Sequence, residues 1–268
     1  SRRETGGNFK KDDQVFLMIN GKRVVATIEG RTTSTRLPGK IMMPLAGQPV
    51  MQHMIERHRR SKLTDEVVVA TTVNAADDPV VELCAKIGCA YFRGSEDDVF
   101  ARVLGAGEQY KADILVQGMA DSPLVDWRLV DQCIELLEKE DADCASNEFI
   151  ETFPIGLDVR AYKFATFREA EKNDTDSAYR EHAGYSIRSH PEKFKLANWE
   201  AKGGMRWGEL RLTLDTAEDY KLISAVYDEL YPKNRDFSAD DVVAFLKNRP
   251  DLVCINKEIK QHIPQISL

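Results

Sequence analysis

The stretch Glu29-Gly30-Arg31-Thr32-Thr33-Ser34-Thr35-Arg36-Leu37-Pro38-Gly39-Lys40 gathers three cations, four hydroxyls and two glycines in one polar loop. Backbone amides and cations in such a loop cradle phosphate groups. It is not a Walker loop, which needs four residues between its glycines and Ser or Thr after Lys. Here eight residues separate Gly30 from Gly39, and Ile41 follows Lys40. Two aspartates complete the set. Asp121 follows the apolar run Ile114-Leu115-Val116, and Asp215 follows Leu210–Leu214. Carboxylates leaving strand ends on one edge of a sheet can converge on a hard cation. Mg²⁺ suits them, because it needs only one or two carboxylates beside waters and phosphate oxygens. Taken singly, Asp121 reads equally as a turn former before Pro123 and Asp215 as a helix cap.

Alternating short elements must position these groups. Val15–Ile19, Asn20-Gly21 and Arg23–Ile28 read as a hairpin, since both turn residues tolerate positive φ. The reactive loop follows the second arm, where ligands sit in open α/β sheets. Pro49 opens a helix to about Ser61 with Val50, Met51, Met54 and Ile55 on one face. Val67–Ala70, Ala90–Phe92, Ile114–Val116 and Ala142–Ser146 read as strands. Helices are expected over Asp77–Ile87, ended by Gly88, and over Leu129–Leu137. A further helix is capped by Ser95 with Asp98 as its box partner. Residues 148 to 210 lack clean periodicity and read as an excursion from the sheet. Leu210–Leu214 then restores a strand, and Thr216/Asp219 and Ser238/Asp241 open the last two helices. The pattern predicts a three-layer, Rossmann-like α/β fold with a mixed, mostly parallel sheet. The division expected is an N-terminal extension or hairpin over 1–22 and a single domain over 23–268.

Composition narrows the partners. The 268 residues carry Lys plus Arg 37 against Asp plus Glu 44, a formal net charge of −7, which excludes a general nucleic-acid coat. No apolar run reaches the length of a membrane helix, and Ser1–Asp13 lacks the apolar centre of a signal peptide. The start at Ser1 rather than Met fits a processed product or a piece of something longer. Cys84, Cys89, Cys133, Cys144 and Cys254 form no metal-ligand spacing and read as reduced thiols of a cytoplasmic protein. His53 and His58, beside Arg57, Arg59 and Arg60, read as a solvated helix face.

The same loop resembles the signature of cytidylyltransferases that make CMP-linked acidic sugars, above all the SpsF-like branch with its ARxGSTRLPGK form. Further motifs follow in that branch's order: Ala70-Thr71-Thr72, Asp77-Asp78-Pro79, Arg93–Val99, Phe153-Pro154-Ile155-Gly156-Leu157-Asp158-Val159, Arg180-Glu181-His182 and Leu214–Asp219. The resemblance spans about residues 24 to 230. It implies a nucleotide-diphospho-sugar transferase fold, a Mg²⁺ cofactor, CTP and a sugar acceptor as partners, and a homodimer. By position it assigns the triphosphate to Gly30, Arg31, Ser34, Arg36 and Lys40. Base and ribose fall to Thr71 and Thr72, and the metal to Asp121 and Asp215. The acceptor falls to Phe153, Gly156, Asp158, Arg180 and His182, with Arg180 on an acid group and His182 near the attacking hydroxyl. Trp199 and Trp207 are assigned to a subunit contact.

The chain departs from that pattern at a few positions. Glu29 stands for Gln, Gly30 for Ala, Thr33 for Gly and Ala120 for Gly, and Ala183-Gly184-Tyr185 replaces a Thr-Pro-like pair. A Cβ at Thr33 is expected to narrow the loop or displace a positive-φ backbone. Two alternatives therefore stand beside CMP transfer: a sugar-phosphate nucleotidyltransferase using another NTP, and a catalytically silent partner of a glycan pathway.

Overall fold

The computed structural model describes residues 19–260. The chain runs through β1 (Val24–Glu29), a short β2/β3 pair (Pro44–Leu45, Gln48–Pro49), α1 (Val50–Arg59) and β4 (Glu66–Thr72). It continues with α2 (Asp78–Lys86), β5 (Ala90–Gly94), α3 (Val99–Gln109), β6 (Ile114–Met119), α4 (Trp127–Glu140) and β7 (Cys144–Ser146). Then come β8 (Arg160–Lys163), α5 (Phe164–Asn173), α6 (Ser177–Glu181), α7 (Tyr185–Ser189) and β9 (Leu196–Asn198). The chain closes with α8 (Ala217–Leu230), α9 (Ala239–Lys247) and α10 (Pro250–Val253).

A seven-stranded sheet in the order β5-β4-β1-β6-β8-β7-β9 forms the centre. Its pairings are parallel except those of β8, which runs antiparallel to β6 and β7. Central β1 is apolar and buried on both faces, as a covered parallel strand must be. One face packs Ala26 and Ile28 against Met51, Met54, Val80 and Ile134 of α1, α2 and α4. The other packs Val25 and Leu115 against Phe100, Val103, Phe164 and Phe167 of α3 and α5. A further cluster joins Leu210, Leu212 and Leu214 to Leu222, Val226, Val242 and Leu246 of α8 and α9.

Five expectations are corrected. The turn at Asn20-Gly21 exists, with φ of 52° and 76° and a bridge from Ile19 to Lys22. The expected second arm, β1, is paired on both edges by β4 and β6. Residues 15–18 lie outside the described residues. Second, the stretch 148–210 is no excursion: it supplies β8, inserted between β6 and β7, and the edge strand β9. The sequence Arg160-Ala161-Tyr162-Lys163 hides this, since polar ends mask a buried strand. Third, Leu210–Leu214 is no strand of the sheet; its one β-bridge joins Arg211 to Ile155. Fourth, Asp98 rather than Ser95 caps α3, its Oδ1 accepting from Ala101 N. Ser95 Oγ accepts from Asp98 N one turn earlier. The capping boxes at Thr216 and Ser238 form as expected.

Fifth, His53, Arg57 and His58 of the basic run on α1 are buried, while Arg59 stays exposed. His53, Arg57 and His58 are 1%, 4% and 1% exposed. Arg57 donates to the carbonyls of Val125 and Phe237. Neither His58 ring nitrogen has a hydrogen-bond partner. Burial, with the Arg57 charge adding, pushes its imidazole down to about 4. The unfolded chain therefore takes up this proton near 6.5, and the native state only near 4. Stability is intact above pH 6.5 and declines as pH falls toward 4. We expect His58→Phe to show about 2 kcal/mol less loss than the wild type between pH 7.5 and 5, read by urea denaturation. Equal losses in both proteins would refute the assignment.

Four of the five thiols are buried and none is in a disulfide, with Cys254 exposed. Among the described residues no helix is long and apolar enough to cross a membrane.

Candidate active site

The loop after β1 is shaped by its own backbone. Gly39 N donates to Thr32 O at 2.9 Å and closes it, and Met42 N donates to Gly39 O at 2.8 Å. Gly39 takes φ 70°, which an L side chain resists, so the turn delivers Lys40 inward at 8% exposure. Asp77, fully buried, ties the loop to the end of β4. It accepts from Thr32 N and Thr32 Oγ1, both at 2.7 Å, and from Thr72 Oγ1 at 2.5 Å. Burial opposes its charge, but these hydrogen bonds prevail and lower its pKa.

Across the sheet end, Leu214 N donates to Asp121 O at 2.7 Å. This backbone contact, not a sheet strand, brings Asp215 beside Asp121. Asp215 is 2% exposed and surrounded by cations. Its Oδ1 accepts from Arg36 Nη2 at 2.8 Å and from Lys40 Nζ at 2.9 Å. Its Oδ2 accepts from Arg211 Nη2 at 2.9 Å. Lys40 Nζ also donates to Leu214 O at 2.8 Å and lies 3.6 Å from Asp121 Oδ2. Burial pushes Asp215 up, yet Lys40, Arg36 and Arg211 outweigh it and hold the carboxyl below its ordinary value.

The structure thus brings together Arg36, Lys40, Asp121 and Asp215, and adds Arg211, which sequence reading missed. Arg211 sits in an alternating Leu-Arg-Leu-Thr-Leu stretch that resembles an ordinary half-exposed strand. Among the described residues, no group of three or more metal-binding side chains forms. Two carboxylates alone suit Mg²⁺, which completes its octahedron with water and phosphate oxygens. Arg31 lies further along the loop, its Nη1 3.2 Å from Glu96 O and 3.4 Å from Glu96 Oε1. Ser34 is half-buried in the loop, and Thr71 and Thr72 are fully buried at the end of β4.

The expected acceptor residues are scattered. Phe153 packs edge-on against Trp199, with ring centroids 6.0 Å apart. It borders a groove of about 680 Å³ with Asp126, Trp199, Lys202 and Met205, which Lys40, Asp121 and Asp215 do not line. Trp199 and Trp207 both pack on the α8–α9 core. Gly156 lies against the backbone of Leu212. Arg180 is engaged by Asp98 at 2.5 Å and Glu171 at 2.6 Å. His182 is half-buried at the end of α6. Asp158 is held near Gly156 N, and burial, with Glu148 adding and Arg160 opposing, pushes it up to about 6.

A second polar group was missed. Glu148 grips Arg160 through Nε, at 2.6 Å, and Nη2, and takes Arg188 Nη1 at 2.7 Å. Arg160 Nη1 faces only Met119 Sδ, at 3.1 Å, two residues from Asp121. Arg188 Nε is buried without a partner. Glu29, at the end of β1, accepts from Gln117 Nε2 at 3.3 and 3.4 Å. Burial raises its carboxyl, against the opposing charge of Arg102.

Two departures from the resembled pattern, Gly30 and Ala120, lie against each other. A Cβ built on Gly30 would lie 2.8 Å from Ala120 Cβ and 2.9 Å from Met51 Cε. Ala120 fills the space that an alanine at position 30 would take. Gly30→Ala should cost about 1–3 kcal/mol through overpacking. Adding Ala120→Gly should return at least half of that, a coupling visible in a double-mutant cycle by chemical denaturation. Additive losses would refute the coupling. Thr33 is not among the residues with positive φ, and its hydroxyl donates to Glu96 Oε1 at 2.5 Å.

The seven-stranded, mostly parallel sheet places the chain in the α/β class of nucleotidyltransferase folds. Within it, the chain belongs to the cytidylyltransferase family, which it matches over residues 25–242. The spore coat polysaccharide biosynthesis protein SpsF of Bacillus subtilis is 30% identical over 233 residues, 85% of this chain and 95% of that protein. A cytidylyltransferase structure from Leptospira borgpetersenii superposes with a TM-score of 0.82 at 29% identity, covering 90% of this chain and all of the other. A CMP:2-keto-3-deoxy-manno-octonic acid synthetase complexed with CTP shares the fold, with a TM-score of 0.58 at 16% identity over 77% of this chain and 99% of the other.

Proposed function

We propose that the protein transfers CMP from CTP to an acidic sugar, with release of pyrophosphate, in the synthesis of a surface polysaccharide or glycan. The observation that carries this reading is the convergence of Arg36 and Lys40 on Asp215 beside Asp121. In the reaction an acceptor hydroxyl oxygen forms a bond to the α-phosphorus, the bond to the β-phosphate bridge breaks, and the hydroxyl proton is lost. The chain has little covalent work to do; it positions the groups and neutralises charge. Gly30, Arg31, Ser34, Arg36 and Lys40 hold the triphosphate, and Lys40 and Arg36 offset charge on departing pyrophosphate. Thr71 and Thr72 border the nucleoside. Asp121 and Asp215 hold Mg²⁺, which when bound supplies Lewis-acid charge to the phosphates.

On the acceptor side, Arg180 is already engaged by two carboxylates, so the acid group is assigned instead to Arg160 and Arg188. Two guanidinium groups share the single carboxylate of Glu148, which leaves donors for one further anion. Asp158, Gly156, Phe153 and His182 remain assigned to the same half, with His182 near the attacking hydroxyl. A homodimer and a cytoplasmic location belong to the same reading.

Thermal unfolding with CTP, UTP, ATP and GTP, each with and without Mg²⁺, tests the nucleotide half. A ligand at 100 times its dissociation constant stabilises the fold by about 2.7 kcal/mol. The expected outcome is selective stabilisation by CTP, whose Mg²⁺-dependent part disappears in Asp121→Ala and Asp215→Ala. Selectivity for another nucleotide would favour a sugar-phosphate nucleotidyltransferase. No response to any of them would favour the silent-partner alternative.

A further inference from the structure

Lys40 occupies the place its neighbours would offer to a metal. Its stem is buried, and its ammonium sits among three oxygens: Asp215 Oδ1 at 2.9 Å, Leu214 O at 2.8 Å and Asp121 Oδ2 at 3.6 Å. The two carboxylates are those assigned above to the divalent cation, so the inference rests on that assignment. An ammonium and a divalent cation a few ångström apart repel strongly in a partly buried site. Both cannot rest between the same oxygens.

The other cations around Asp215 differ in how firmly they are held. Arg211 is anchored on both sides, to Asp215 Oδ2 and to both oxygens of Asp219, and Asn256 caps its carbonyl. It stays in place whatever binds. Arg36 reaches Asp215 from outside, with a half-exposed side chain. Lys40 is a compact charge on a flexible four-carbon stem, the kind of group that can change partners by rotation. Among the described residues no third acidic, histidine or cysteine side chain joins the two carboxylates, so a divalent ion fills its shell with waters and phosphate oxygens. Those same phosphates offer the ammonium a new partner.

We propose that Lys40 is the resident cation of the Asp121–Asp215 seat, and that it cedes the seat to a divalent metal only when a nucleotide triphosphate arrives to take its ammonium. Metal and nucleotide then bind with positive coupling, and the coupling is reciprocal. Without nucleotide, the lysine keeps the seat closed to divalent ions. The same residue serves in turn as placeholder and as phosphate ligand.

The test is Mn²⁺ binding to the full chain without nucleotide, followed by electron paramagnetic resonance. The wild type should bind Mn²⁺ weakly. Lys40→Met keeps the stem and removes the charge, and it should tighten Mn²⁺ binding at least tenfold, with the gain abolished by Asp121→Asn. Arg36→Met, which deletes a more exposed charge on the same carboxylate, should give a distinctly smaller gain. Lys40→Gln provides a second variant should the methionine disturb folding, monitored by circular dichroism. Binding in Lys40→Met no tighter than in the wild type, but still sensitive to Asp121→Asn, overturns the inference and leaves the metal assignment standing. Equal gains in the Lys40 and Arg36 variants also overturn it, since charge deletion alone would then suffice. No Asp121-sensitive binding in any variant removes the metal assignment and the inference together.

Discussion

Asp215→Ala is expected to cost both turnover and fold stability, and to do so far more than the same change at Asp121. Asp215 is buried and is the common partner of Arg36, Lys40 and Arg211. Removing it leaves three positive groups facing one another. Arg211 retains Asp219 and Lys40 retains the Leu214 carbonyl, so the charges are not abandoned outright. Breaking a buried pair from one side typically costs 3–5 kcal/mol, and these remaining partners place the cost at about 3 kcal/mol. Turnover should fall at least about 10³-fold, because positioning and charge neutralisation fail together. Asp121 is partly exposed; its side chain meets Lys40 at 3.6 Å and accepts from the neighbouring Ser122 Oγ at 3.3 Å. Asp121→Ala should thus lose comparable activity while stability shifts by less than about 1 kcal/mol. Urea denaturation and pyrophosphate release, measured on both variants, separate the two effects. Equal destabilisation would mean that the cations around Asp215 are held by something other than its carboxylate.

The pair of aspartates was legible in the sequence because each follows an apolar run and lies in a local motif. What joins them was not. The hydrogen bond from Leu214 N to Asp121 O links residues far apart in the chain, and nothing local announces it. Leu210–Leu214 alternates like a strand, and its leucines do pack inward, but against α8 and α9 rather than within the sheet. The same limit explains α1. Its run of arginines and histidines has the composition of a solvated face, yet Arg57 is buried because distant carbonyls at Val125 and Phe237 await its donors. Strand β8 was hidden for the same reason: Arg160 looks like surface, and its pair with Glu148 makes its burial tolerable. The loop 29–40 was readable because its cations, hydroxyls and glycines lie within one short segment. The group Glu148, Arg160 and Arg188 was not, since its charges come from the segment after β7, from β8 and from α7 and meet only in three dimensions.

Glu148→Gln carries the second large effect. Glu148 keeps only 17% of its side chain exposed and holds two guanidinium groups, Arg160 and Arg188. Burial alone would raise its pKa, but the two arginines bring it down to about 2. The folded pKa is below the unfolded value, so the contribution is complete above about pH 4.5 and is lost as pH falls toward 2. That difference corresponds to about 3 kcal/mol at neutral pH. The neutral amide keeps the shape yet leaves two buried cations in mutual repulsion. The expected loss is therefore about 3 kcal/mol, roughly 6–12 °C in Tm for a chain of this size. Adding Arg188→Met should recover most of it, because one guanidinium near Asp158 is easier to accommodate than two. If Glu148→Gln costs less than about 1 kcal/mol, then Asp158 and Glu29 already compensate both arginines. No donors would then be left over for an acidic acceptor, and the acceptor assignment would fall to neutral alcohols instead.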